Sequence, residues 1–151
     1  MKKIKKLLRA EGVVVYDCTC DNGTSQDDVL KKIVQKCNLH DVDLDVAIHL
    51  NSSRNDLTGD GKIGGTEVWM RTADGIKAKV GTKICRKMER IGFTNRGVKT
   101  TKNWHFLNHT IAPAILVEVA FVDDKDDVKL YKKCKNEIAS AIAGAIIESF
   151  E

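Results

Sequence analysis

The chain has 151 residues, 42% of them hydrophobic and 30% charged, with a formal net charge of +4 and one proline, the proportions of a single globular domain large enough to bury a core. No apolar run reaches membrane-spanning length, Met1–Ala10 lacks the uninterrupted apolar core of a signal peptide, and the aromatic residues, 5% of the chain, are not interleaved with basic ones. These features argue against a membrane or nucleic-acid partner and predict cytoplasmic synthesis without a signal peptide.

In chain order, Ile4, Leu7 and Leu8 share one helical face, with the lysines mostly off it, up to Gly12. Val13–Cys18 reads as a short strand. Ser25 and Asp28 form a capping pair for a helix carrying Val29, Leu30, Ile33, Val34 and Cys37. Leu44–His49 is the next strand, residues 51–65 a polar, glycine-rich loop, and Thr66–Met70 another strand. Ile76, Val80, Ile84, Met88 and Ile91 keep helical spacing to Gly92. Arg96 and Gly97 are expected to turn the chain, and Trp104–Leu107 to form an edge strand. Val128, Tyr131, Cys134, Ile138, Ile142 and Ala145 mark a long closing helix with a break near Cys134. Strands alternating with helices predict an α/β fold with a single, open, mostly parallel sheet flanked by helices.

The stretch Pro113-Ala-Ile-Leu-Val-Glu-Val-Ala-Phe-Val-Asp123 reads as a strand buried on both faces. Alternation sets Ile115, Val117, Val119 and Phe121 against Ala114, Leu116, Glu118 and Ala120. Glu118 is the anomaly, because an unpaired buried carboxylate costs several kcal/mol or keeps its proton. Two readings stay open: a structural glutamate paired with one of the 25 Lys and Arg residues, or a general base at the edge of a dry cleft. His49 ends its strand, and in open α/β sheets ligands bind at the carboxyl ends of strands.

Asp45-Val-Ala-Ile-His-Leu-Asn51, Gly65-Thr-Glu-Val-Trp69, Phe93-Thr-Asn-Arg-Gly-Val98 and Leu107-Asn-His-Thr-Ile-Ala-Pro113 running into the Glu118 strand together resemble the zinc-dependent N-acetylmuramoyl-L-alanine amidases. The likeness is to the catalytic domains of phage endolysins and clostridial autolysins, and it runs through essentially the whole chain. It implies that residues 1–151 form a peptidoglycan hydrolase domain. In that family two His and one Glu hold zinc, and a second Glu serves the zinc-bound water. His49 matches the second zinc His and Glu118 the catalytic Glu, while Asn51 and His109 are expected beside the substrate; a structural role for His109 stays open. Zinc would lower the pKa of its water to about 7, and Glu118 would take the proton as hydroxide attacks the amide carbonyl, then return it to the leaving amine. The bond cut would join the lactyl group of N-acetylmuramic acid to L-alanine, in the cell wall, after release of the protein.

The family pattern opens with a strand ending in Gly-His and a Glu at the start of its first helix. The first helix here starts at Met1, so the resemblance implies an N-terminally incomplete domain whose zinc site is short of two ligands. His40, His105 and His109 do not occupy the missing positions. An open sheet edge predicts self-association, and the missing ligands keep a second function in view: a non-catalytic decoy, wall-binding or regulatory protein of the same fold. Asp56–Glu67 has the length and several acids of a calcium loop, but Thr58 stands where Asp or Asn is usual and Val68 continues as strand. Five cysteines without a secretion signal read as reduced thiols, and Cys18-Thr-Cys20 as structural.

Overall fold

The computed structural model describes residues 1–53, 56, 58–59 and 64–151. Five of the twelve residues of the calcium-loop reading, 57 and 60–63, lie outside that set. Helix boundaries follow the capping chemistry. The Ser25 hydroxyl accepts from the Asp28 amide at 3.2 Å, while the Asp28 carboxylate accepts from the Thr24 amide at 2.8 Å, opening α2 (Gln26–Cys37). Helix α3 (Gly75–Ile91) stops at Gly92, whose φ of 118° is a left-handed cap that favours glycine. The closing segment breaks at Cys134 into α5 (Lys125–Lys133) and α6 (Lys135–Phe150), and α1 spans Lys2–Ala10.

Four strands, β1 (Asp45–Asn51), β2 (Thr66–Met70), β3 (Asn95–Thr100) and β4 (Ala114–Phe121), form one sheet in the order β1-β4-β2-β3. Two of the three pairings are parallel, β1 with β4 and β2 with β3; β2 and β4 run antiparallel. Every residue of β4 is buried, as its unbroken apolar run requires. One face carries the main core, where Val68, Met70, Ile115 and Val117 meet Val80, Ile84 and Met88 of α3 and Ile142 and Ala145 of α6. Gly81 lets α3 approach closely, since a Cβ there would sit 3.0 Å from the Met70 methyl carbon. The opposite face holds a smaller cluster in which Val34 and Cys37 of α2 pack with Phe106, Leu107, Ala114 and Leu116. All five cysteines are free thiols, and among the described residues no helix is long and apolar enough to cross a membrane.

Three local expectations are corrected. Val13–Cys18 is not a strand: the Val13 amide donates to Leu8, Arg9 donates to the Val15 carbonyl at 2.8 Å, and Lys5 pairs with Asp17. Side chains of α1 hold this segment in place of a ladder. Arg96 and Gly97 do not end an element but lie inside β3, where Gly97, at φ 76°, stands opposite Glu67 beside an irregularity in the β2–β3 register. Trp104–Leu107 is not an edge strand but the entry to the short helix α4 (His105–His109). Phe106 and Leu107 are both buried in the same cluster; a strand would send these neighbours to opposite faces.

Candidate active site

The sheet register assembles the site. His49 on β1 stands beside Glu118 on β4, and Glu118 stands opposite Glu67 on β2. One row across three strands therefore holds an imidazole and two carboxylates. Both carboxylates are buried, Glu118 at 8% and Glu67 at 3% exposure, yet their surroundings differ completely.

Glu67 collects four donors. Asn51 Nδ2 at 2.9 Å and Trp69 Nε1 at 2.8 Å reach Oε1, and Arg96 Nε at 2.7 Å and Lys99 Nζ at 2.6 Å reach Oε2. Burial pushes its pKa up, but the bonds from Arg96, Lys99 and Trp69 outweigh burial and hold it below the usual glutamate range. Glu118 has no such support. Its Oε2 is buried without a hydrogen-bond partner, and burial, followed by the charge of Glu67, pushes its pKa up to about 7. The ion-paired reading belongs to Glu67, and Glu118 is left as a carboxyl poised to take or give a proton near neutral pH.

His49 is exposed at the rim, while the protein packed around it still disfavours the charged ring and lowers its pKa. Asn51 joins the site through Glu67, and its Oδ1 accepts from the Ser52 amide at 2.8 Å, so its amide group is fixed at both ends. His109 is not brought to this row. It lies on α4, which precedes the start of β4; its ring stacks on His105 with centroids 4.1 Å apart, and its carbonyl accepts from Asn38 at 2.9 Å. Trp69, Arg96 and Lys99 enter the site without having been singled out, and so does the role of Glu67. The signal for Glu67 was present: a carboxylate inside the strand Thr66-Glu-Val-Trp-Met70 is the same anomaly as Glu118.

Catalytic zinc takes three protein ligands. Among the described residues no three His, Cys, Asp or Glu side chains gather into a group that could hold a metal ion. His49 is a single imidazole, and Glu67, opposite Glu118, is already bound by two cations. The described residues do not supply the three ligands of a catalytic zinc centre.

Comparison with known proteins places this arrangement. The chain is 34% identical over 154 residues to an uncharacterized 38.4 kDa protein of Clostridium perfringens, covering 98% of this chain and 43% of that one. It is 30% identical over 160 residues to an endolysin of Bacillus phage SPP1, covering 98% of this chain and 54% of that one. The chain thus spans about half the length of these relatives. The structure superposes on the catalytic domain of an endolysin targeting Clostridia difficile with a TM-score of 0.78 and 28% identity, covering 97% of this chain and 81% of that one. A family model for N-acetylmuramoyl-L-alanine amidase matches residues 1–148, and the chain belongs to that family.

Proposed function

We propose that this chain cleaves the amide bond between N-acetylmuramic acid and the L-alanine of the stem peptide in bacterial peptidoglycan. Glu118 is the proton-transfer residue. The observation that carries the reading is its unpartnered, buried carboxyl oxygen in register with His49 on one side and the cation-paired Glu67 on the other. Family membership supplies the reaction class, and the endolysin likeness supports the cell wall as its place of action.

In its ionised form Glu118 accepts a proton from the attacking water, and in its protonated form it delivers that proton to the departing alanine nitrogen. A pKa of about 7 makes both half-reactions accessible at neutral pH. His49, whose surroundings disfavour the charged ring, offers an imidazole to the same reacting centre. The test is digestion of purified cell walls in zinc-supplemented buffer, read as newly exposed L-alanine amino termini. Release by the wild-type chain, lost in Glu118→Gln, is expected. Wall binding without release by the wild type would overturn the enzymatic reading in favour of a wall-binding module.

A further inference from the structure

The chain has two tryptophans, and the fold sets them side by side. Trp69 and Trp104 have ring centroids 4.9 Å apart and planes tilted by 43°. Both are half-buried, so each keeps part of its surface toward solvent. Trp69 stands opposite Leu116, and Glu67, two residues before it, stands opposite Glu118. The indole pair therefore lies on the sheet face of the two carboxylates, one side-chain row from Glu118, or about 7 Å along the strand. The rings are anchored. Trp69 Nε1 donates to Glu67 at 2.8 Å, Lys99 Nζ lies 5.4 Å from the Trp69 ring centroid, and both tryptophans pack on the cluster of Phe106, Leu107 and Leu116.

We propose that Trp69 and Trp104 form a subsite for the N-acetylated amino-sugar ring on the acyl side of the scissile amide. This rests on the amidase reading. The bond proposed for cleavage joins a lactyl carbonyl carried by a pyranose to an alanine nitrogen, so the sugar must lie within a few ångströms of the group attacked. A pyranose presents an apolar C–H face and a rim of hydroxyls. Indole surfaces match the first, and Lys99, an ammonium with three donors, one of them spent on Glu67, stands beside them for the second. The other flank of Glu118 has the opposite character. Where β4 ends, the chain turns polar: Asp123 accepts from Ser52 Oγ at 2.9 Å and from the Ser53 amide at 2.8 Å. That polar flank offers hydrogen bonding to the peptide side of the bond, leaving the aromatic flank to the sugar.

Because both tryptophans lie at the subsite, intrinsic fluorescence of the full chain reports its occupancy, and Glu118→Gln removes turnover. The probes are N-acetylmuramic acid, muramyl dipeptide (N-acetylmuramoyl-L-alanyl-D-isoglutamine) and the dipeptide L-alanyl-D-isoglutamine. Saturable emission changes with both sugar-bearing probes and none with the dipeptide are expected. Trp104→Ala should weaken the binding of muramyl dipeptide about five- to tenfold, with most of the loss restored in Trp104→Phe. In the cleavage assay Trp104→Ala should raise KM and leave kcat nearly unchanged. An equal response to the dipeptide alone, or no saturable response to any probe, overturns the subsite even if the alanine variant does not fold. Sugar binding by a chain that cleaves no wall keeps the subsite and removes the amidase reading. Normal cleavage with an unchanged KM in Trp104→Ala removes the subsite alone.

Discussion

Glu67 and Glu118 face each other across β2 and β4, and the two sides of the sheet treat them oppositely. Arg96 and Lys99 reach Glu67 from β3, joined by Trp69 of β2 and Asn51 of β1. On the β1 side Glu118 has an exposed imidazole in register and one oxygen with no partner. The two cations that meet this pair of carboxylates, Arg96 and Lys99, bond to Glu67. Facing like charges disfavour double ionisation, so the carboxylate with cations stays ionised and the one without keeps its proton to higher pH. Environments that push paired carboxyl groups apart in this way separate a fixed anion from a proton-transfer group.

The largest expected effect comes from removing the second member of that pair. Glu118→Gln should lower kcat by about 10²–10⁴-fold while raising thermal stability at pH 8. The sign follows from linkage. The folded-state pKa of about 7 lies above the ordinary 4.5, so the folded protein binds more protons between these values. The associated stability is fully present below about pH 4.5 and is lost as pH rises through 7. The wild type should therefore melt below the glutamine variant at pH 8, by on the order of 2–3 kcal/mol, with the gap closing near pH 5. Wild-type-like cleavage by the variant would break the assignment, and a large destabilisation at pH 8 would show that Glu118 has a structural partner after all.

Glu67→Gln tests the other side. It strips the shared anion from Arg96 and Lys99, whose side chains are 31% and 33% exposed, so solvent takes up part of the cost. A loss of about 1–3 kcal/mol is expected by chemical denaturation. With the facing charge gone, the pKa of Glu118 should fall, moving the acidic limb of the kcat/KM profile to lower pH. The double variant should be non-additive, since the residues share one electrostatic interaction. Independent, additive effects would show that the two carboxylates do not sense each other.

The sequence made one side of this comparison far more legible than the other. Glu118 stood out because apolar residues flank it on both sides in a long buried run, a pattern that fixes strand, face and burial together. Glu67 sat in a five-residue strand following a polar, glycine-rich loop, and its partners Arg96 and Lys99 arrive from β3, a strand concealed by Gly97. Glycine there signalled a turn, whereas its φ of 76° accommodates a register irregularity beside Glu67. Val13–Cys18 failed for the converse reason: strand propensity expresses itself only where a neighbouring ladder exists. Helices marked by caps, α2 at Ser25 and α3 at Gly92, lay where local chemistry put them. The His49–Glu118 pairing depends on long-range register; the late position of both residues in parallel strands suggests it, and the family resemblance names their roles.

The β1 side also governs metal affinity. With one imidazole in place of three protein ligands, zinc should bind the apo protein more weakly than micromolar in calorimetry. Micromolar or tighter binding that disappears in His49→Ala would reveal further ligands beyond the described residues.

The smallest expected effect contrasts the two sheet edges that flank the carboxylates. The β3 edge, beside Glu67, carries Arg96, Lys99 and a positive-φ glycine, features that discourage another strand from pairing. The β1 edge, beside Glu118, has no lysine, arginine or proline in Asp45-Val-Ala-Ile-His-Leu-Asn51. The Asp45 amide donates to Pro113 and the Asn51 carbonyl accepts from Val122. The alternation of a ladder therefore turns the amides and carbonyls of Val46 and Ile48 outward. Among the described residues no backbone hydrogen bond joins 13–24 to this edge. A second copy can pair there about a two-fold axis, with apolar side chains meeting apolar ones and Leu50, 45% exposed in one chain, covered in the pair. Light scattering should detect dimers at high protein concentration, and Leu50→Lys should shift them toward monomer without changing the fold by circular dichroism. A wild-type monomer throughout the concentration range would show that the segment between α1 and α2 shields the edge without bonding to it.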